Sequence, residues 1–162
     1  MNDLIDFPNV REVLTDYINE LKTQYENNLL DSDKVASYNL INSIQVITSF
    51  NGTDYWIGFQ LADYWKYVEN DTKPHFPPVN KLLEWIRVKP VLPYPNKNGK
   101  LPTPNQLAYL IGRKIDKEGT KGTHDLERAN RTIYEKYEEL ITLALEEDVS
   151  NSMDKIIKIL YV

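Results

Sequence analysis

The sequence predicts an α+β fold: a long N-terminal helix, a central antiparallel β-hairpin forming a small sheet, and several C-terminal helices. Three observations carry the prediction. Two alternating, β-branched and aromatic runs flank Asn51-Gly52, the pattern of a hairpin. Apolar residues recur at helical spacing before and after them. Prolines and glycines then punctuate the second half into separate helices.

Each element follows in order. Residues 8–29 read as a helix. Pro8 suits the first turn, where its missing N–H costs nothing. Val10, Val13, Leu14, Tyr17, Ile18 and Leu21 form its apolar stripe. Asp31 or Ser32 is placed to cap a short second helix over about 34–40. In SIQVITSFNGTDYWIGFQLA, Ile44, Val46 and Thr48 alternate with Gln45, Ile47 and Ser49. Asn51-Gly52 tolerate the positive φ of a tight turn. Tyr55, Ile57 and Phe59 then share one face of the return strand, with Trp56, Gly58 and Gln60 on the other. The hairpin pairs about 43–50 with 53–61.

After ADYWKYVENDTKPHFPP, a helix starts at Pro78, with Val79, Leu82, Leu83 and Ile86 as its stripe. It stops near Lys89, because Pro90, Pro93 and Pro95 cannot continue it. Residues 90–102 are an extended proline-rich loop, long enough to be mobile or to act as an arm. Thr103 caps the next helix, Pro104 takes its first position and Gln106 completes a capping box. Leu107, Leu110, Ile111 and Ile115 are its buried stripe, and Gly119 suits a left-handed terminus. TKGTH is a short loop. The last long helix runs from near Asp125 to about Glu147, with Ile133, Tyr137, Leu140, Ile141 and Ala144 inward. MDKIIKILYV fits a strand or a short helix, so 150–162 reads as a C-terminal tail. With no internal repeat and no linker, 1–162 is expected to be one domain.

Charge is unevenly distributed. Residues 1–72 carry 12 acidic and 4 basic side chains, residues 73–131 carry 5 and 12, and residues 132–162 carry 7 and 3. The successive balances of −8, +7 and −4 make the net −5. A basic middle can face nucleic acid, or it can meet acidic parts of the same chain or of a neighbour. The N-terminal residues lack the basic-then-apolar pattern of an export signal, and no apolar run approaches a membrane span. With no cysteine, a disulfide framework, a thiolate metal site and a cysteine nucleophile are excluded.

Catalytic and cofactor groups are not expected. His75 and His124 lie far apart and no H-E-x-x-H pattern appears, so no metal site is expected. Lys121-Gly122-Thr123 reverses the order of a phosphate loop and joins helix to helix. No nucleophile elbow is present. Arg113, Lys114, Lys117, Lys121, Arg128 and Arg131 cluster, diluted by Asp116, Glu118, Asp125 and Glu127, which suits non-specific contact with DNA better than base readout. Tyr64, Trp65 and Tyr67 suit a core or an interface, where such side chains are enriched.

The order of these motifs resembles a known family. Leu40, Ser43 and Ile44 lead into the hairpin, and Tyr64, Tyr67-Val68-Glu69 and Thr72 follow it. PPVNKLLEWIRVK and LAYLIGRKIDKEGTKGT come next. Over about 37–126 this is similar to the tail-completion, or neck (head–tail connector), proteins of tailed bacteriophages. One departure is Asp71, where the family usually has glycine. The resemblance implies a structural virion protein of the neck, made in the host cytoplasm and carrying no catalysis, cofactor or membrane contact. It implies a homo-oligomeric ring, six- or twelve-fold, touching other neck, portal or tail proteins. Tyr64, Trp65, Tyr67 and Glu69 then read as a joint. Pro93 and Tyr94, in an arm, and Arg113, Lys114, Lys117 and Lys121, as a charged patch, complete the interface candidates. Three other classes stay open: a non-sequence-specific nucleic-acid-binding accessory protein, a peptide-binding adaptor and a small toxin-like ribonuclease.

Overall fold

The computed structural model describes residues 6–32, 38–52, 54–89 and 91–161. The fold is α+β and mostly helical: α1 (Pro8–Asp31), α2 (Asn39–Ser43), β1 (Gln45–Phe50), β2 (Tyr55–Gln60), α3 (Trp65–Glu69), α4 (Val79–Val88), α5 (Pro104–Glu118) and α6 (Asp125–Leu160). The chain divides into two compact units, one of residues 1–28, 43–61 and 125–162, the other of residues 29–42 and 62–124.

In the first unit α1 and α6 run antiparallel. The carboxylate of Asp148 accepts the N–H groups of Asn9 and Val10, at 3.3 and 2.9 Å. Midway, Glu20 accepts from Lys136 at 2.6 Å and from the Tyr137 hydroxyl at 2.8 Å. At the far end the Asn28 amide donates to the Asp125 carbonyl. Ile18, Leu21 and Tyr25 of α1 are buried, as are Ala129, Ile133, Tyr137 and Ala144 of α6. The small residues let the helices approach, and Tyr17 meets Tyr137 edge-on at 5.3 Å. Burial, and then the bond to Glu20, push the Tyr137 hydroxyl up to about 12.

The hairpin pairs Gln45 with Gln60 and Phe50 with Tyr55 in antiparallel register. Gly52 has φ +94°, and the Asn51 side chain accepts from the Asp54 N–H at 2.7 Å, closing a loop of four residues rather than two. The hairpin is tied to α1 through Thr15, whose hydroxyl lies 2.8 Å from that of Tyr55. The Arg11 guanidinium also sits over the Phe50 ring. On β2, Tyr55, Ile57 and Phe59 are half-buried and Trp56 and Gln60 exposed, with Gly58 half-buried as well; on β1 the expected alternation is lost, because only Val46 is half-buried.

In the second unit α4 packs on α5. The α5 N-terminus carries the expected capping box: Thr103 accepts from the Gln106 N–H, and the Gln106 side chain accepts from the Thr103 N–H.

Several expectations need correction. The predicted stripe of α5 is displaced: Leu110 is exposed, whereas Ala108 is fully buried and Gly112 buried. Gly112 leaves room for the Phe76 ring, which a β-carbon would meet at 2.9 Å. Hydrophobicity alone picked Leu110, but close packing picked the small residues. Leu140 of α6 is likewise exposed, at 38%. The C-terminal segment is neither a strand nor a separate helix, because α6 continues unbroken to Leu160. The antiparallel register, with Asp148 opposite Asn9, carries the end of α6 past the first residue of α1. Met153, Ile157, Ile159, Leu160 and Tyr161 are accordingly exposed. The short helix expected over 34–40 falls largely outside the described residues, and the helix seen begins at Asn39.

Candidate functional site

The second unit is stitched together by two stretches distant in sequence. Thr72 and Thr120 form an antiparallel bridge. The Thr72 N–H donates to the Thr120 carbonyl at 2.9 Å, and the Thr120 N–H donates to the Thr72 hydroxyl at 3.0 Å. The Thr123 N–H donates to the Val68 carbonyl, and the His124 N–H to the Glu69 carbonyl, at 2.8 and 3.0 Å. Gly119 and Gly122 lie flat against this strand-like crossing. A β-carbon on Gly119 would stand 2.0 Å from the Thr72 carbonyl oxygen, and one on Gly122 2.2 Å from that of Glu69. Both Gly-Thr stretches are thus one side of a backbone joint, and 67–72 is the other.

Asp71 completes the joint. Its carboxylate accepts the Gly122 N–H at 2.8 Å and lies 3.4 Å from His124 Nε2. The Gly122 N–H first, and then the His124 ring, hold the Asp71 carboxyl below the usual range. A carboxylate whose pKa is lowered by folding stabilises the fold above its ordinary range and loses that contribution as pH falls through the lowered value. The Gly122 amide proton resonance should therefore titrate with a midpoint below that of an ordinary aspartate. In Asp71→Asn it should stay flat, because the oxygen acceptor is kept and the titration is gone. A wild-type midpoint at or above the ordinary value would disprove the contact in solution.

On the same unit, α2, α3 and α4 enclose an apolar groove of about 600 Å³. Its walls are Leu40, Tyr64, Tyr67, Leu82, Trp85 and Val88, with Lys81 and Glu84 at the rim. Partial burial pushes the Tyr64 hydroxyl up. The Lys81 ammonium sits 3.1 Å from the Glu84 carboxylate. Tyr67 and Val88 remain largely exposed while lining this groove, so its apolar wall is open to solvent.

The expected interface residues fall in different places. Tyr64 and Tyr67 meet in the groove, whereas Trp65, between them, is half-buried. Glu69 is 6% exposed, so its contribution is the backbone carbonyl in the joint, and its side chain is not a surface group. Pro93 is half-buried beside the exposed Tyr94. Tyr94 borders a separate hollow with Leu101, Tyr109 and Leu110. Arg113, Lys114 and Lys117 are exposed on α5, and Lys121 is exposed in the loop that follows. Arg128 and Arg131 are engaged within α6, by Asp125 and Glu127 at 2.6 and 2.7 Å.

Sequence reading missed Trp85 and Val88 as site residues. The available signal was a second apolar row on α4, Leu82, Trp85 and Val88 at i+3 spacing, beside the half-buried stripe of Val79, Leu83 and Ile86. Among the described residues no group of three His, Asp or Glu side chains could hold a metal ion, and no helix is long and apolar enough to cross a membrane. His75 is bonded locally, its ring Nδ1 lying 2.8 Å from the Lys73 carbonyl. No protein-family model, curated protein or solved structure matches the chain.

Proposed function

We propose that this chain is a ring-forming structural protein of a tailed-bacteriophage neck, acting between portal and tail. The reading rests first on the resemblance over about 37–126. The observation that carries it is the joint. Two stretches of that resemblance, Tyr67–Thr72 and Gly119–Thr123, are hydrogen-bonded to one another, so their order and spacing serve one element.

Charge supports assembly. The first unit carries 16 acidic and 7 basic side chains, −9, and the second 8 and 12, +4. A ring needs two different patches that meet head to tail. Opposite net charges on two units of one chain supply such a pair and favour correct encounter and register.

Native mass spectra across protein concentration, in low and high volatile salt, test the reading. A closed oligomer of six or twelve copies is expected. Charge reversal of Arg113, Lys114 and Lys117 to glutamate should raise the concentration needed for assembly at least about tenfold. An unchanged assembly midpoint would remove the charge argument, and a strict monomer would count against intrinsic ring formation.

A second reading follows from the exposed Arg113, Lys114 and Lys117 on one helix: non-sequence-specific contact with nucleic acid. Its signature is binding of duplex DNA by the isolated chain that falls steeply with salt.

A further inference from the structure

The groove of the second unit lies on the same chain as a segment of matching chemistry. Val91–Pro95 leaves α4 just after Val88, which lines the groove. Leu92 and Tyr94 are 89% and 93% exposed, so the segment does not fill the groove of its own chain. Both side chains precede a proline. Pro93 and Pro95 fix their own φ and bias Leu92 and Tyr94 toward extended backbone. A segment held in this way resembles a polyproline II strand, which loses little conformational entropy on docking. Aromatic-lined grooves are the usual receptors for such strands. Here Tyr38, Tyr64, Tyr67 and Trp85 line the groove, and tyrosine hydroxyls and an indole N–H are donors suited to the carbonyls that an extended segment leaves unbonded.

We propose that the Val91–Pro95 arm of one copy docks in the Tyr64–Tyr67–Trp85 groove of a second copy. Two exposed apolar side chains on a proline-restricted backbone match an apolar, aromatic-lined groove in chemistry, and each copy carries one of each. Arm and groove are different patches, so the contact is heterologous. It propagates from copy to copy and closes into a ring where the rotation allows. Closure rests on the ring reading above; the docking itself does not.

The test uses the full-length Leu92→Asp/Tyr94→Asp variant, ¹⁵N-labelled. Both positions are exposed, so the fold is retained, and the groove is left empty. A synthetic peptide of residues 91–97, VLPYPNK, is titrated in, and the indole resonance of Trp85, assigned with Trp85→Phe, is followed. A saturable shift is expected, and none with a peptide carrying aspartate for Leu92 and Tyr94. In native mass spectra the variant should need at least about tenfold more protein than wild type to associate.

A Trp85 resonance that does not move overturns the docking, as does a wild-type chain that remains monomeric at every concentration. If wild type and variant form the same closed ring and Trp85 is silent, the ring reading stands and the docking falls. If Trp85 responds and wild type forms only open, concentration-dependent chains, the docking stands and the closed ring falls.

Discussion

Gly119→Ala is expected to cost about 4 kcal/mol or more, among the largest effects of any single substitution in this chain. Two independent causes act there. The backbone adopts φ +72° and ψ −163°, a region that only glycine enters readily. A β-carbon would also stand 2.0 Å from the Thr72 carbonyl oxygen. That atom belongs to backbone, so it cannot rotate away. Relief requires opening the Thr72–Thr120 bridge, with the loss of its hydrogen bonds at about 1 kcal/mol each. Gly122→Ala should behave similarly through contact alone, because its β-carbon would meet the Glu69 carbonyl oxygen at 2.2 Å.

Gly99 provides the contrast. It has a positive φ but nothing within 4 Å of a β-carbon, so Gly99→Ala should cost only the backbone contribution of about 1–2 kcal/mol. Gly58 has neither constraint and should be nearly neutral. Thermal unfolding measures the series, with Gly119→Ala lowering the midpoint by roughly 10 °C. If Gly119→Ala cost no more than Gly99→Ala, the joint would not be as tight as described.

Asp148→Ala is the second large effect, about 2–4 kcal/mol. Asp148 is 1% exposed, and both of its oxygens are used on the first turn of α1. The early N–H groups of a helix have no partner within the helix, and their end of the dipole is positive. Usually a residue just before the helix supplies the acceptor. Here a carboxylate from α6, far along the sequence, does so. Alanine would strand two donors and leave a small void. Asp148→Asn keeps one oxygen acceptor without the charge, so it should fall between the two. Denaturant unfolding of the three proteins checks the order. A loss below about 0.5 kcal/mol for alanine would mean that water satisfies those donors equally well.

Part of this architecture was legible in residues alone. The hairpin follows from alternation around Asn51-Gly52, and the α5 boundaries from Thr103, Pro104, Gln106 and Gly119, because these signals act within a few residues of chain. The charge division was also visible, though its boundaries were not. The compact units cut the chain differently, returning 125–131 to the acidic unit.

What the residues could not reveal depends on chain partners far apart. The TKGTH loop reads as a plain connection until its backbone is seen against 67–72. Asp71 reads as a departure from glycine until the Gly122 N–H is placed on its carboxylate. Leu110 and Leu140 suit a buried stripe by hydropathy, yet helix faces are chosen by what packs opposite them, and Ala108, Gly112 and Ala144 are small enough to be chosen. The length of α6 and the exposed end it leaves follow from its register with α1. Trp85 is an extra apolar residue in the sequence and a groove wall only once α2 and α3 stand beside α4. Local backbone chemistry therefore determined the hairpin, α1, α4 and α5, but neither the short α3 nor the end of α6. Only close packing between distant segments decided which faces are buried, where the joint forms and where a groove is left open.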